Sequence, residues 1–169
     1  MNFIQEIKNI CDDYKNSKIG MFIDMDGVIT DFDIYGYQNI RNNIPKTFLN
    51  KRPLNSTINV LKQLAEIENL NFYIVSACHF KNQAEEKSLW LDKHAPFIKK
   101  DNRYFVIKEI EKYTIKTKPA IKVRFIKEIM KKDKLDLSIY IEDEHEMLRQ
   151  ANEELKNKVI RYHVSSLIE

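Results

Sequence analysis

Short apolar runs alternate with segments of helical periodicity along almost the whole chain. Apolar runs predict strands at 19–24, 71–76, 104–107, 137–141 and 159–164, and helical spacing predicts helices at 2–15, 53–67, 85–94, 119–130 and 144–155. Parallel neighbouring strands need crossover connections, which helices supply in this order. The sequence therefore predicts an α/β fold with a three-layer, Rossmann-like, doubly wound and mainly parallel sheet.

The length of the chain fits one such domain. With 169 residues the chain can build one complete core but is too short for two ordinary domains, so we expect a single domain over residues 1–169. Residues 33–52 show neither period cleanly, and Pro45 and Pro53 interrupt them. We predict that this segment is a small cap or flap inserted after the first strand.

Polar side chains stand where three of the predicted strands end. Asp24 and Asp26 follow the first strand, Ser76 ends the second, and Glu142 and Asp143 follow the fourth. In parallel doubly wound sheets, ligands bind outside the carboxyl ends of the strands. We therefore expect these side chains to belong to one site.

The first of these groups lies in the segment FIDMDGVITDF, residues 22–32. Residues i and i+2 of a strand point the same way, so Asp24 and Asp26 face one site. A divalent cation can relieve their repulsion, and unequal surroundings can split their pKa values, so that one acid stays ionised while the other holds a proton. The first is then a nucleophile or ligand and the second an acid and base. Gly27 allows the sharp turn that follows.

The other groups offer phosphate and metal ligands. Ser76 and the following Ala77 combine a hydroxyl with backbone N–H groups, a good seat for a phosphate oxygen. The helix that begins near Pro119 has three lysines at its start, namely Lys116, Lys118 and Lys122. Glu142 and Asp143 add oxygen ligands of the kind that Mg²⁺ prefers.

In this order, the four groups resemble the four motifs of the haloacid dehalogenase-like phosphohydrolase superfamily, over residues 19 to about 155. The resemblance implies that Asp24 forms an aspartyl-phosphate, while Asp26 protonates the leaving oxygen and then activates water. It implies that Mg²⁺ is held by the Asp24 carboxylate, the Asp26 backbone carbonyl and Asp143. It also implies that the phosphoryl oxygens are bound by Ser76, the Ala77 amide and Lys118.

Two of these assignments keep alternatives. Lys118 is chosen because it directly precedes Pro119 at the helix entrance, but Lys116 and Lys122 lie close to it. The family often has Asp-Asp or Gly-Asp at the fourth motif, whereas this chain has Glu-Asp. A contact of Glu142 with the metal or its waters therefore stays open.

Within the superfamily, two segments are similar to 5'(3')-deoxyribonucleotidases: RPLNSTINVLKQLAEIENLNFYIVSA and EEKSLWLDKHAPFI. The chain departs from that family in having Ser-Ala-Cys at 76–78 instead of Thr-Ser-Pro. Only 25 residues separate Gly27 from Pro53, which predicts a small cap and an open site. We expect a Mg²⁺-dependent phosphomonoesterase acting on a small phosphorylated substrate, and specifically a nucleotidase. The alternatives are a 3'-phosphatase acting on nucleic-acid ends and a phospho-accepting signalling domain.

The composition narrows the possible partners. The formal charge is +3, and lysines are interleaved with acids along the chain, which is typical of a solvated surface rather than a nucleic-acid footprint. Cys11 and Cys78 are too few for a disulfide framework and are expected to be reduced. The first residues lack a signal-peptide pattern, and no apolar run is long enough to span a membrane. We expect a cytoplasmic protein, and no feature of the sequence specifies an oligomeric state.

Several further residues have two possible roles. His79 and Phe80 either touch the leaving group or a base, or pack locally. Trp90 and His94 are predicted to be core and helix-end residues. A group of aromatic residues either lines a nucleoside pocket or holds the cap together, namely Phe32, Tyr35, Tyr37 and Phe48. Solvated or capping roles are predicted for Asp31 and Asp33.

Overall fold

The computed structural model describes residues 2–32 and 36–167. These residues form one parallel sheet, whose strands are β1 (Ile19–Ile23), β2 (Leu70–Cys78), β3 (Arg103–Ile107), β4 (Leu137–Glu142) and β5 (Val159–His163). The α-helices are α1 (Phe3–Asp13), α2 (Tyr37–Arg41), α3 (Asn55–Leu64), α4 (Lys81–His94), α5 (Lys108–Glu111), α6 (Lys118–Asp133) and α7 (His145–Leu155). The predicted doubly wound α/β fold is confirmed.

The strand order is β3-β2-β1-β4-β5. Ile23 of β1 pairs with Ile74 of β2 on one side and with Ile141 of β4 on the other. The order of the strands therefore reverses at β1, and the crevice at the carboxyl ends of β1 and β4 is the topological switch point where such sheets bind ligands. Flavodoxin-like folds, which include response-regulator receivers, have the different order 2-1-3-4-5.

Alternate residues of the central strands pack against opposite helical layers. Ile19, Met21 and Ile23 belong to the core shared with α1, α3 and α4. Phe22 belongs to the core shared with α6 and α7, where its ring stacks on that of Tyr73 with centroids 5.1 Å apart. Every residue of β1 is buried, because helices cover the strand on both faces. The strand therefore has a continuous apolar run instead of an alternating pattern.

Three element boundaries differ from the sequence expectation. β2 continues to Cys78 because residues 74–78 pair with β3, so Ser76 lies inside the strand rather than at its end. α4 begins at Lys81, since the Gln83 side chain accepts the backbone N–H groups of residues 79 and 80 just before the helix. α3 begins at Asn55, after Pro53 has formed an isolated bridge with Thr30.

The described part of the predicted cap, residues 36–52, forms α2 and a series of turns. Asp33 and Tyr35 lie outside the described residues. The assignment of residues 33–52 as a cap stays a prediction, and we call this segment the insert below. Among the helices that the structure describes, none combines the length and the apolar character needed to span a membrane.

Candidate active site

Asp24 follows β1 directly and lies at the bottom of the crevice between β1 and β4. Its backbone N–H donates to the carbonyl of Ile141 at 3.1 Å, which extends the pairing of the two strands by one residue. The side chain is buried, with the Lys122 ammonium 3.2 Å from Oδ1. This contact is an ion pair without hydrogen-bond geometry, so Oδ1 has no hydrogen-bond donor among the described residues. Buried carboxylate oxygens normally have one, so this oxygen is available to a ligand.

Three carboxylates gather at this point. Asp24, Glu142 and Asp143 each offer an oxygen atom, and these atoms lie within 4.8 Å of one another. Burial and the neighbouring Glu142 raise the pKa of Asp24, against the opposing effect of Lys122. Burial also raises the pKa of Asp143. A hard divalent cation such as Mg²⁺ fits this oxygen donor set and would relieve the excess negative charge.

The three carboxylates are not equally free to bind a metal. The completely buried Glu142 accepts hydrogen bonds from the Lys122 ammonium at 2.6 Å and the Tyr140 hydroxyl at 2.7 Å. Its Oε1 faces the backbone N–H groups of residues 143 and 144. Asp24 and Asp143 have no such set of donors, so they fit direct ligation better than Glu142 does.

Gly27 lets the backbone come close to Asp143. Its φ angle is +78°, and a Cβ atom built there would lie 2.2 Å from Asp143 Oδ2. The turn is closed by hydrogen bonds from the N–H groups of Val28, Ile29 and Thr30 to the carbonyl of Met25. Both the left-handed conformation and the missing side chain are therefore needed, which explains why the Asp-x-Asp-Gly segment has a glycine at this position.

Asp26 points to the other side of the crevice and is held by two lysines. Lys51 Nζ lies 2.5 Å from Oδ1, and Lys87 Nζ lies 2.6 Å from Oδ2. Burial favours the protonated acid, but the charges of Lys87 and Lys51 outweigh it and lower the pKa of Asp26. The pKa values of the two aspartates are split as expected, but in the opposite direction. Asp26 is the more acidic of the two. The two lysines, which the sequence reasoning did not include, cause this reversal.

Ser76 and Ala77 differ in their access to the crevice. Ser76 is completely buried, and its hydroxyl accepts a hydrogen bond from Lys87 Nζ at 2.9 Å. Lys87 also donates to the carbonyl of Ala77 at 2.9 Å. Ala77 lines the pocket together with His79, whereas Ser76 does not. Direct contact of Ser76 with a phosphate stays a prediction, and its observed partner is the lysine.

The structure separates the three candidate lysines of the third motif. Lys122 is buried between Asp24 and Glu142, and these two carboxylates raise its pKa against the effect of burial. Lys118 pairs with Glu144 at 2.7 Å, near the outside of the pocket, and Lys116 is exposed. The lysine in contact with Asp24 is thus Lys122, one helical turn beyond the predicted Lys118. Both lysines line the pocket.

Lys87 and Lys51 are the site residues that sequence reasoning missed. Lys87 was detectable in the sequence, because it stands three residues before Trp90 and four before Leu91, on the face that α4 buries. A lysine on such an apolar face needs a buried partner. The sequence around Lys51 does not predict a buried lysine, because the insert shows neither helical nor strand periodicity.

The insert is fastened to α4 by side chains spaced along one face of that helix. Gln83 donates to the carbonyl of Ile40 at 2.7 Å, and the Glu86 carboxylate accepts the backbone N–H groups of residues 46 and 48. Trp90 Nε1 donates to the carbonyl of Lys51 at 2.9 Å. These bonds place the Lys51 ammonium against Asp26. They also confirm Trp90 as a core residue, with 1% of its surface exposed.

The aromatic residues of the insert have unequal positions. Phe48 is buried, and the Lys87 ammonium lies 4.5 Å from the centre of its ring. Phe32 and Tyr37 also line the pocket but are largely exposed, at 63% and 45%. The pocket is partly open to solvent, and its inner volume is about 160 Å³. Phe48 therefore supports the lysine side of the site, whereas Phe32 and Tyr37 stand at its mouth.

Solved structures similar to this chain include the following two. One is the class C acid phosphatase from Bacillus anthracis with tungstate bound, with a TM-score of 0.56 and 15% identity over 96% of this chain and 74% of the other. The second is the haloacid dehalogenase domain of the effector protein Lem4 from Legionella pneumophila, with a TM-score of 0.53 and 12% identity over 86% and 85% of the two chains. At these identities the likeness shows the fold. No curated protein sequence matches significantly.

A family model identifies the chain more closely. The model of the 5' nucleotidase, deoxy (pyrimidine), cytosolic type C protein (NT5C) matches residues 33–118, which include the insert, β2, α4 and β3. The match spans 86 of the 169 residues, just over half of the chain. This protein therefore belongs to the cytosolic type C 5'-deoxynucleotidase family, and with it to the haloacid dehalogenase-like phosphatases.

Proposed function

We propose that the protein is a Mg²⁺-dependent nucleotidase that hydrolyses phosphate monoesters through an aspartyl-phosphate on Asp24. The observation that carries the proposal is the buried Asp24 carboxylate, whose Oδ1 has no hydrogen-bond donor among the described residues and lies beside Lys122. Such an oxygen can ligate a metal or attack phosphorus. The family match supports a nucleotide as the substrate.

In the first step, an Asp24 oxygen attacks phosphorus, the bond between phosphorus and the ester oxygen breaks, and the alcohol leaves with a proton. In the second step, water attacks the phosphorus of the aspartyl-phosphate, which releases inorganic phosphate and restores the Asp24 carboxylate. Bound Mg²⁺ would neutralise charge on the phosphoryl oxygens, with Asp24 and Asp143 as its side-chain ligands and the Asp26 carbonyl as a further one. Lys122 and the Ala77 amide are the proposed phosphate-binding groups.

Asp26 is the proposed acid and base. Its ionised state beside Lys51 and Lys87 suits the second step, in which a carboxylate takes a proton from the attacking water. The first step requires a protonated Asp26. We infer that phosphoryl oxygens draw the charge of Lys51, which lines the pocket, away from Asp26 when substrate binds, which raises the pKa of Asp26 at the moment when the leaving oxygen needs a proton.

The test is a phosphate-release screen over 5'- and 3'-nucleotides, sugar phosphates and a 3'-phosphorylated oligonucleotide, with Mg²⁺ and with EDTA. We expect turnover of nucleoside monophosphates that EDTA abolishes and added Mg²⁺ restores. Acid quenching during turnover, followed by peptide mass spectrometry, should find a phosphoryl group on Asp24. Turnover without an enzyme-bound phosphoryl group, or turnover that EDTA leaves intact, would contradict the mechanism.

The signalling-domain alternative is disfavoured by the strand order β3-β2-β1-β4-β5, which differs from that of receivers. Acetyl phosphate provides a direct comparison. We expect continuous release of phosphate from it, whereas a receiver would accumulate a long-lived phosphorylated protein. A cytoplasmic location stays a prediction from the sequence.

A further inference from the structure

The pocket is partly open to solvent, and only part of a nucleotide fits in its inner space. Its volume of about 160 Å³ is close to the roughly 150 Å³ of an engineered cavity that holds one benzene molecule. A phosphoryl group and part of a sugar fill such a space. The rest of a nucleotide must therefore lie over the mouth of the pocket, where the side chains determine what else the substrate can carry.

Among the described residues, several basic side chains lie near the mouth of the pocket. Lys108 and His79 line it, and the N–H of Glu109 donates to the carbonyl of His79 at 3.0 Å, which holds the start of α5 against the end of β2. Tyr37 of the insert meets the His79 ring with centroids 6.4 Å apart, and the Arg41 guanidinium lies 5.8 Å from the centre of the Tyr37 ring. Lys108 thus lines the pocket together with His79, while Arg41 lies beside Tyr37 and does not line the pocket itself.

These cations differ from the lysines deeper in the site. Each deep lysine has a carboxylate partner: Lys51 and Lys87 pair with Asp26, and Lys122 pairs with Asp24 and Glu142. At the edge of the pocket, Lys118 pairs with Glu144. Within residues 2–32 and 36–167, no carboxylate lies within ion-pair distance of Lys108 or Arg41.

The surroundings of His79 agree with an uncompensated positive field. Burial lowers the pKa of this imidazole, and the charges of Lys108, Arg41 and Lys118 lower it further. His79 is therefore biased toward its neutral form, in which it can donate one hydrogen bond to an anion. An anion placed at the mouth would meet the Lys108 ammonium and a ring N–H, in the field of the Arg41 charge.

We propose that the mouth of the pocket, where Lys108 and His79 lie and to which Arg41 adds its charge from beside Tyr37, binds a second phosphate of the substrate, so that the preferred substrate is a nucleoside bisphosphate with both phosphates on one sugar. The inference rests on the proposed phosphomonoesterase function and names its substrate class. A nucleic-acid end offers related chemistry, because a phosphodiester follows its terminal phosphate. Three cationic or donor groups around one opening match one compact phosphate, whereas a bound strand needs a longer basic track.

The test compares initial rates of phosphate release from three substrates: a deoxynucleoside 5'-monophosphate, the corresponding 3',5'-bisphosphate, and a 5'-phosphorylated dinucleotide with a phosphodiester at the same 3' position. For the unmodified protein we expect kcat/KM to be roughly tenfold higher for the bisphosphate than for the monophosphate, mainly through KM, as two partly exposed ion pairs allow. The dinucleotide should fall between them, because its diester carries a single charge.

Substitutions at the mouth test which residues cause the preference for the bisphosphate. Lys108→Ala and Arg41→Ala should each lower the ratio of bisphosphate to monophosphate kcat/KM by about threefold, while Lys108→Arg retains most of it. Lys131→Ala and Arg161→Ala, which remove exposed cations away from the pocket, are the matched controls and should keep the ratio unchanged. Raising the ionic strength from about 0.05 M to about 0.5 M should reduce the preference of the unmodified protein.

The possible failures are distinguishable. If the protein hydrolyses none of the three substrates with Mg²⁺, the proposed function is wrong and the inference fails with it. If it hydrolyses the monophosphate but shows no preference for the bisphosphate, the inference alone is wrong. A preference for the dinucleotide over the bisphosphate would overturn the small-molecule assignment in favour of a nucleic-acid end. A preference that survives in both mouth variants would remove Lys108 and Arg41 from the explanation.

Discussion

The candidate site has two halves that are built in different ways. The strand-end half consists of Asp24, Glu142, Asp143 and Lys122, with three carboxylates and one ammonium group. The α4 half consists of Lys51 and Lys87, two ammonium groups that share the single carboxylate of Asp26. Negative charge in excess on one side and positive charge in excess on the other suit a metal and a phosphoryl group that bind side by side.

The halves also differ in what holds them. The strand-end carboxylates are positioned by the backbone, through the pairing of β1 with β4 and the turn at Gly27. The lysines of the α4 half reach the site with long side chains from a helix and from the insert. The acidic half is therefore fixed by strand geometry, while the basic half depends on how α4 and the insert pack.

The largest effect is expected in the strand-end half. Asp24→Asn keeps the shape of the side chain but removes the nucleophilic charge, so phosphate release should fall roughly 10⁴-fold. Steady-state assays with a nucleoside monophosphate measure it. The matched control is Asp12→Asn at an exposed position of α1, which should keep full activity. Unchanged turnover in Asp24→Asn would remove this residue from the chemistry.

Next in size is the loss of each lysine from the α4 half. Lys87→Met removes the completely buried ammonium that contacts Asp26 and Ser76, and kcat should fall about 10²-fold, as when an organised charge is removed from a site. Lys51→Met should cost about tenfold, because Lys87 still neutralises Asp26. The pH dependence of kcat/KM should shift in both variants, since each loss raises the pKa of Asp26. Equal losses for the two lysines would contradict the proposed ranking.

A smaller effect is expected where the turn supports the metal ligand. Gly27→Ala introduces a Cβ atom that clashes with Asp143 Oδ2 and a φ angle that alanine disfavours, so the Mg²⁺ concentration for half-maximal activity should rise about tenfold. Titration of activity with Mg²⁺ measures the change. Gly20→Ala is the control, because its Cβ would meet side chains of Leu135 and Phe22 away from the site. It should lower stability without changing the Mg²⁺ requirement.

The smallest expected effect is a pH dependence of the free energy of unfolding. It is measured for a thiol beside the α4 half, Cys78, and for one far from it, Cys11. Burial raises the pKa of Cys78 and of Cys11 to about 11 each. Each folded thiol therefore keeps its proton at a pH where the unfolded chain loses it. This contribution to stability is present below the unfolded pKa of about 8.5 and is lost as the pH rises through about 11.

Guanidinium unfolding at pH 8 and at pH 10 should therefore show a lower free energy of unfolding at the higher pH. Cys78→Ala and Cys11→Ala should each reduce this pH dependence by a similar amount. A clearly greater reduction for Cys78→Ala would show that the α4 half is the more tightly closed region, whereas no reduction for either variant would contradict the burial of the thiols.

Much of the fold was predictable because strand and helix periods are local. The five apolar runs and the helical spacing between them correspond to β1–β5 and to the main helices. The ends of elements were harder to predict. β2 extends to Cys78 because β3 pairs with its last residues, and a partner strand distant in the sequence decides such an extension.

The place where the carboxylates gather could be predicted from the sequence, because parallel strands end at one edge of the sheet. Asp24, Asp26 and Asp143 line one pocket at that edge, and Gly27 forms the predicted turn, although Asp26 faces the lysines rather than the other carboxylates. The lysines that complete the site could be identified only from the packed fold. Lys122 rather than Lys118 contacts Asp24, and Lys51 and Lys87 converge on Asp26 from 36 residues apart in the sequence. Long, flexible side chains from separate elements leave no local period, so their convergence exists only once the elements have packed.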